Sequence, residues 1–74
     1  MDKQDKISIL ITFGANLRQL RLAKGFTQEQ LANELGVEIS QISRIERGVI
    51  NTSVTTLYAI SKTLKIDVSA LFTF

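Results

Sequence analysis

Apolar residues recur along this chain in short stripes at helical spacing, with glycines between the stripes. Leu10, Phe13, Leu17 and Leu20 return every three or four positions, which puts them on one face of a helix from about residue 7 to Lys24. Lys24 suits the negative helix end, and Gly25 supplies a left-handed cap. The opening of this segment, from Ile7 to Phe13, is rich in β-branched residues and alternates Ile7, Ile9, Ile11 and Phe13 on one parity, so a strand is the competing reading. Helix is favoured, because no second strand is legible elsewhere to pair with it.

Thr27 is a good N-cap, and Gln30 three residues later completes a capping-box pattern. Phe26 before the cap and Leu31 after it suit a hydrophobic staple, Leu31 and Leu35 share a face with Ala32, and Gly36 ends the helix. A third helix follows from about Ile39 to Arg47, closed by Gly48. Two short helices joined by a brief turn containing glycine predict a helix-turn-helix. Beyond the loop Val49-Ile50-Asn51-Thr52, Ser53 caps a fourth helix carrying Leu57, Ile60 and Leu64. Asp67 caps a short fifth helix with Leu71 on its inner side. The expected fold is all-α, five short helices in one domain over residues 1–74.

The third helix separates into two faces at about 100° per residue. With Ile39 at zero, Ser43, Arg47, Ser40 and Arg44 fall at roughly 40°, 80°, 100° and 140°, while Ile42 and Ile45 fall near 300° and 240°. Ile42 and Ile45 must be buried, which turns Ile39, Ser40, Ser43, Arg44 and Arg47 outward. That outward face suits DNA reading. Arg44 can fork onto guanine O6 and N7, Ser40 and Ser43 can bond bases or phosphates, and Ile39 can pack on a thymine methyl. Taken alone, each has an ordinary alternative: a solvated arginine, solvated serines, or a peripheral core isoleucine.

Composition narrows the chemistry. With no Cys and no His, the chain has neither disulfides nor thiolate or imidazole metal ligands, and it lacks the commonest general base. Glu29, Glu34, Glu38 and Glu46 are scattered and no phosphate-cradling Gly-Lys loop exists, so neither an enzyme nor a cofactor or metal site is expected. No apolar run reaches membrane-span length, and the mixed charges of the first six residues argue against a signal peptide; a cytoplasmic protein is expected. The net charge is only +2, but residues 1–26 hold five Lys/Arg against two Asp, and the remainder four against five acids. A polyanionic partner is hinted at, not shown.

The ordered set Phe13-Gly14, Leu17-Arg18-Gln19-Leu20-Arg21, Gly25-Phe26-Thr27-Gln28-Glu29-Gln30-Leu31-Ala32, Leu35-Gly36-Val37 and Ile42-Ser43-Arg44-Ile45-Glu46-Arg47-Gly48 is far more specific than a bare helix-turn-helix. With Asn51-Thr52-Ser53, Leu57, Leu64 and Leu71-Phe72 it covers roughly residues 13–72. It resembles the lambda-repressor/Cro-like, XRE-type, helix-turn-helix family. The resemblance implies a sequence-specific transcriptional regulator that binds double-stranded DNA, with residues 39–47 in the major groove and the N-terminus of the preceding helix at the backbone. It implies a base or backbone contact at Gln28, with Thr27 beside it, and a second phosphate region at Arg47, Asn51 and Thr52. Many relatives carry Pro at the position of Thr52 and a basic residue at that of Val49 or Ile50, so this loop is electrostatically weaker here. Arg21 reads equally well from sequence as a free phosphate binder, whereas the resemblance implies a structural ion pair with Glu46.

One reading helix spans few base pairs, and specific affinity usually comes from a dimer on two half-sites. Val68, Leu71, Phe72 and Phe74 form the expected homodimer surface, with Tyr58 and Ile66 at its rim and the Ile7–Ile11 segment as a second candidate. No small-molecule ligand is expected, since no segment remains for an inducer. Restriction–modification controllers, compact phage-type repressors and antitoxins all share this pattern. The competing reading is an antitoxin-like interaction module whose main partner is a protein.

Overall fold

Three of the four α-helices, and the turn that closes the chain, begin at a short polar residue whose side chain caps them. In the computed structural model, which describes residues 1–74, these elements are α1 (Lys3–Ala23), α2 (Gln28–Leu35), α3 (Ile39–Glu46), α4 (Val54–Leu64) and a 3₁₀ turn over Val68–Phe72. The all-α expectation holds, and Ile7–Phe13 is helical. The expected five short helices are corrected in two places: α1 is 21 residues long, and the last element is a 3₁₀ turn.

The early start of α1 has a local cause. Asp2 adopts extended backbone and its carboxylate accepts from the Asp5 N–H at 2.9 Å, so the helix begins at Lys3, ahead of the start expected near residue 7. Around α2 the capping box forms in full: Thr27 Oγ1 accepts from the Gln30 N–H at 3.0 Å, and Gln30 Oε1 accepts from the Thr27 N–H at 2.9 Å. Gly36 then reverses the chain at φ 69°, a left-handed conformation that a Cβ makes costly. Ser53 Oγ caps α4 by accepting from Thr56 N–H at 3.1 Å. Asp67 opens the 3₁₀ turn in the same way, and the Ser69 N–H it accepts holds its exposed carboxyl below the usual aspartate range.

Phe13, Leu17, Leu31, Ala32, Ile42, Ile45, Ile60, Leu64 and Leu71 form the buried core, with Leu20, Leu35, Leu57 and Phe26 packed against it. Each fully buried Leu or Ile is worth roughly 1.5–3 kcal/mol relative to exposure. No helix is long and apolar enough to cross a membrane.

The crossing of α1 with α3 is tight. A Cβ built on Gly14 would collide with the carbonyl oxygens of Ile45 and Glu46 and lie 2.8 Å from the Glu46 carbonyl carbon. Just beyond α3, a Cβ on Gly48 would lie 2.6 Å from Ile11 Cα. A glycine on each of the two segments, Gly14 in α1 and Gly48 after α3, lets the backbones touch, which fixes where α3 sits.

Candidate nucleic-acid interface

Packing orients α3. Ile42 and Ile45 are buried, while Ser40, Arg44 and Arg47 are exposed and Ile39 is 46% exposed, far more than a core isoleucine tolerates. Ser43 is half-buried, and its hydroxyl accepts from Arg47 Nε at 3.3 Å, one helical turn away. The guanidinium of Arg44 makes no contact with the protein's own acids: the one ion pair in the molecule is Arg21–Glu46.

That pair is closed on every side. Arg21 Nε donates to Glu46 Oε2 at 2.6 Å and Nη2 donates to Oε1 at 3.0 Å, with both side chains almost wholly buried. Arg21 Nη1 also donates to the Phe26 carbonyl at 2.8 Å, and Gln28 Nε2 donates to Glu46 Oε1 at 3.0 Å. Arg21 is thus occupied, with no free fork for a phosphate. A bidentate, fully bonded arrangement offsets the desolvation that makes buried pairs costly. The network ties the last residue of α3 to the C-terminal part of α1 and the first residue of α2. The family resemblance implied the Arg21–Glu46 pair, which the residues alone left open against a phosphate-binding Arg21, and the bonds from Gln28 and to Phe26 leave no periodic signal in the sequence.

A carboxylate only accepts, so Glu46 fixes which end of the Gln28 amide faces inward. Gln28 Oε1 and one amide hydrogen remain for an outside partner. Thr27 uses its oxygen as the cap acceptor, leaving its hydroxyl hydrogen free. The backbone N–H groups of Gln28 and Glu29 donate to nothing within the protein, as expected for the first turn of a helix.

The loop after α3 offers a second run of unused donors. The N–H groups of Ile50 through Thr55 bond no acceptor in the chain. Asn51 is exposed. At Thr52 the side-chain expectation is corrected, because its Oγ1 is sealed from solvent without a partner; only the backbone N–H there is left to meet a phosphate. No three His, Cys, Asp or Glu residues converge to hold a metal ion.

The C-terminal surface divides. Phe72 is 52% and Phe74 62% exposed, and Val68 and Tyr58 are also open. Leu71 is 0% exposed, which corrects its assignment to a dimer surface: it is wedged into the core where the 3₁₀ turn packs on α1 and α4. Asn16 Nδ2 holds this turn by donating to the carbonyls of Ala70 and Leu71, both at 2.9 Å. The Phe72 ring rests 5.3 Å from that of Phe13, tilted by 40°.

The helix-turn-helix family HTH_3 matches residues 17–71, spanning α2, the turn and α3. The chain belongs to this family. Among characterised relatives it is 40% identical over 68 residues to the control protein C.BamHI of Bacillus amyloliquefaciens, covering 90% of this chain and 84% of that one. It is 45% identical over 60 residues to the transcriptional regulator SlrR of Bacillus subtilis, where it spans 80% of this chain but only 40% of the longer protein. Among solved structures, the restriction–modification controller C.AhdI from Aeromonas hydrophila superposes with a TM-score of 0.87 at 38% identity, over 92% of this chain and 99% of that one. The biofilm regulator SinR, solved in complex with DNA, superposes with a TM-score of 0.76 at 34% identity, over 82% of this chain and 98% of that one. The chain is therefore a helix-turn-helix transcriptional regulator.

Proposed function

We propose that this regulator is a small controller-type protein that acts in the cytoplasm and binds its operator as a homodimer, without enzymatic activity. The observation that carries the DNA-reading half is the two-faced α3. Its isoleucines and Glu46 are committed to the protein, and its free arginine is committed to nothing. With α3 in the major groove, Arg44 discriminates a guanine by about 1–3 kcal/mol, flanked by Ile39, Ser40 and Ser43 as further base contacts. Gln28 contributes a contact from the start of α2. Thr27, Arg47, Asn51 and the backbone at Thr52 anchor phosphates, which sets register without reading sequence.

Dimerisation is supported by apolar surface left open in one copy. Val68, Phe72 and Phe74 are exposed, and Phe72 also lines a shallow cavity of about 140 Å³ with Ile9, Leu10, Phe13 and Leu57. A second copy would cover this surface and place two reading helices about one DNA turn apart. The likeness to C.BamHI and C.AhdI, at 40% and 38% identity over most of each of those chains, supports a controller-type role.

Selection from a random duplex pool tests this reading. The expected product is a pair of half-sites with a centre-to-centre spacing of about 10 base pairs. Arg44→Ala should lose the preference for one guanine in each half-site, by about 10-fold or more. A pool without enrichment, or an unchanged profile for Arg44→Ala, overturns it.

A further inference from the structure

The early start of α1 puts two lysines where the core stripe would continue. With Leu10 at zero and about 100° per residue, Phe13, Gly14 and Leu17 lie at roughly −60°, 40° and −20°. Lys6 and Lys3 fall at about −40° and 20° on the same scale, while Asp5 falls near −140°, on the far side. Asp2 lies nearer the stripe, but its carboxylate is taken up by the cap. Lys3 and Lys6 are exposed, and their ammonium groups have neither a hydrogen-bond nor an ion-pair partner in the protein.

The neighbour of this face is the loop after α3. Gly14 meets the end of α3, Gly48 meets Leu10 and Ile11, and Asn51 and Thr52 share a cavity wall with Ile9 and Leu10. From Glu46 to Thr52 the chain therefore runs along α1 toward its N-terminus, with Lys6 one turn beyond Ile9 and Leu10. No carboxylate occurs between Glu46 and Asp67. This loop also carries the unpaired N–H groups of Ile50 through Thr55, which seek acceptors, and it has Val49 and Ile50 where a cation would strengthen phosphate binding.

We propose that Lys3 and Lys6, on the first turns of α1, together with the Ile50–Thr55 backbone form an auxiliary phosphate-binding surface for duplex DNA flanking the bases that α3 reads. The cations that the loop lacks come from a different helix, and the excess positive charge of residues 1–26 has a location and a use. This rests on the DNA-reading assignment but not on any particular operator sequence.

The test compares wild type with Lys3→Gln/Lys6→Gln on a duplex taken from the random-pool selection, titrated at several salt concentrations. Each phosphate neutralised contributes about −0.9 to the slope of log K against log salt, so the double variant should lose about 1.8 per protomer. Its base preferences and thermal midpoint should match wild type, and Lys3→Arg/Lys6→Arg should restore the slope. On a duplex trimmed to the half-sites, wild type and the glutamine variant should bind alike. A steep wild-type slope that the glutamine variant leaves unchanged overturns the proposal and keeps the DNA-reading assignment. The same holds if the substitutions shift only self-association, which would mark a protein-facing surface. Failure of wild type to bind any duplex overturns both readings.

Discussion

The α1–α3 crossing and the C-terminal turn are both packed on α1, yet they are finished to different degrees. At the crossing every strong polar group has a partner: Glu46 accepts three hydrogen bonds, Arg21 donates three, and two glycines remove the side chains that would separate the backbones. At the C-terminal turn, Asn16 and Leu71 provide the attachment, but Phe72 and Phe74 remain more than half in water, Val68 is also exposed, and the Thr52 hydroxyl nearby has no partner. The first region is complete within one chain and holds the reading helix in a single orientation. The second has the character of half an interface. Under the proposed function, this contrast gives rigidity to readout and openness to assembly.

The largest effect should come from breaking the complete region. Glu46→Ala leaves a buried guanidinium uncompensated, for which a cost of about 3–5 kcal/mol is typical. In a domain of this size, that lowers the thermal midpoint by roughly 12–40 °C, since each kcal/mol shifts it by about 4–8 °C. DNA binding should fall with it. A midpoint at the wild-type value in a thermal melt would show that the network holds nothing in place.

Phe72→Ala probes the open region and should have the opposite signature. The ring is half exposed, so folding should weaken modestly, by about 1–2 kcal/mol, well below the range for a buried phenylalanine. Sedimentation should nevertheless show monomer at concentrations where wild type is dimeric. An unchanged dimer would remove the C-terminal face from the proposed interface and leave the Ile7–Ile11 side as the other candidate.

A smaller effect sharpens the contrast within the open region. The Ser69 N–H lowers the pKa of Asp67, so its capping contribution is complete above the ordinary aspartate value of 3.8 and is lost as pH falls through the lowered one. Asp67→Asn should therefore cost a small amount of stability at neutral pH, a deficit that disappears in acid, while leaving neutral DNA binding almost unchanged. Melts of the two proteins from pH 7 down to pH 2 should converge at the acid end.

The division between these regions was also a division in legibility. The helices α2, α3 and α4 could be read from sequence because their signals are local: an apolar stripe in each, a capping residue before α2 and α4, and a glycine after α2 and α3. The two faces of α3 followed from the same periodicity. What escaped notice depends on residues far apart in the chain. Gly14 looks like a mild defect inside a helix until the carbonyls of Ile45 and Glu46 arrive against it, and Asn16 has its partners 54 and 55 residues away. Leu71 was given two roles, inner residue and surface residue, and the tertiary packing of the turn kept only the first. The start of α1 was misplaced because apolar periodicity marks where a helix is buried, while Asp2 marks where it begins.

The two-sided construction of α3 also bears on how such a regulator diverges. Ile42, Ile45 and Glu46 anchor the helix from behind, so Ile39, Ser40 and Arg44 can be exchanged with little penalty to the scaffold, as surface substitutions usually cost within about 0.5 kcal/mol. If these three residues read bases as proposed, duplicated copies of the chain would acquire separate targets through changes at three codons. Each descendant would inherit an intact fold on which selection could act at once.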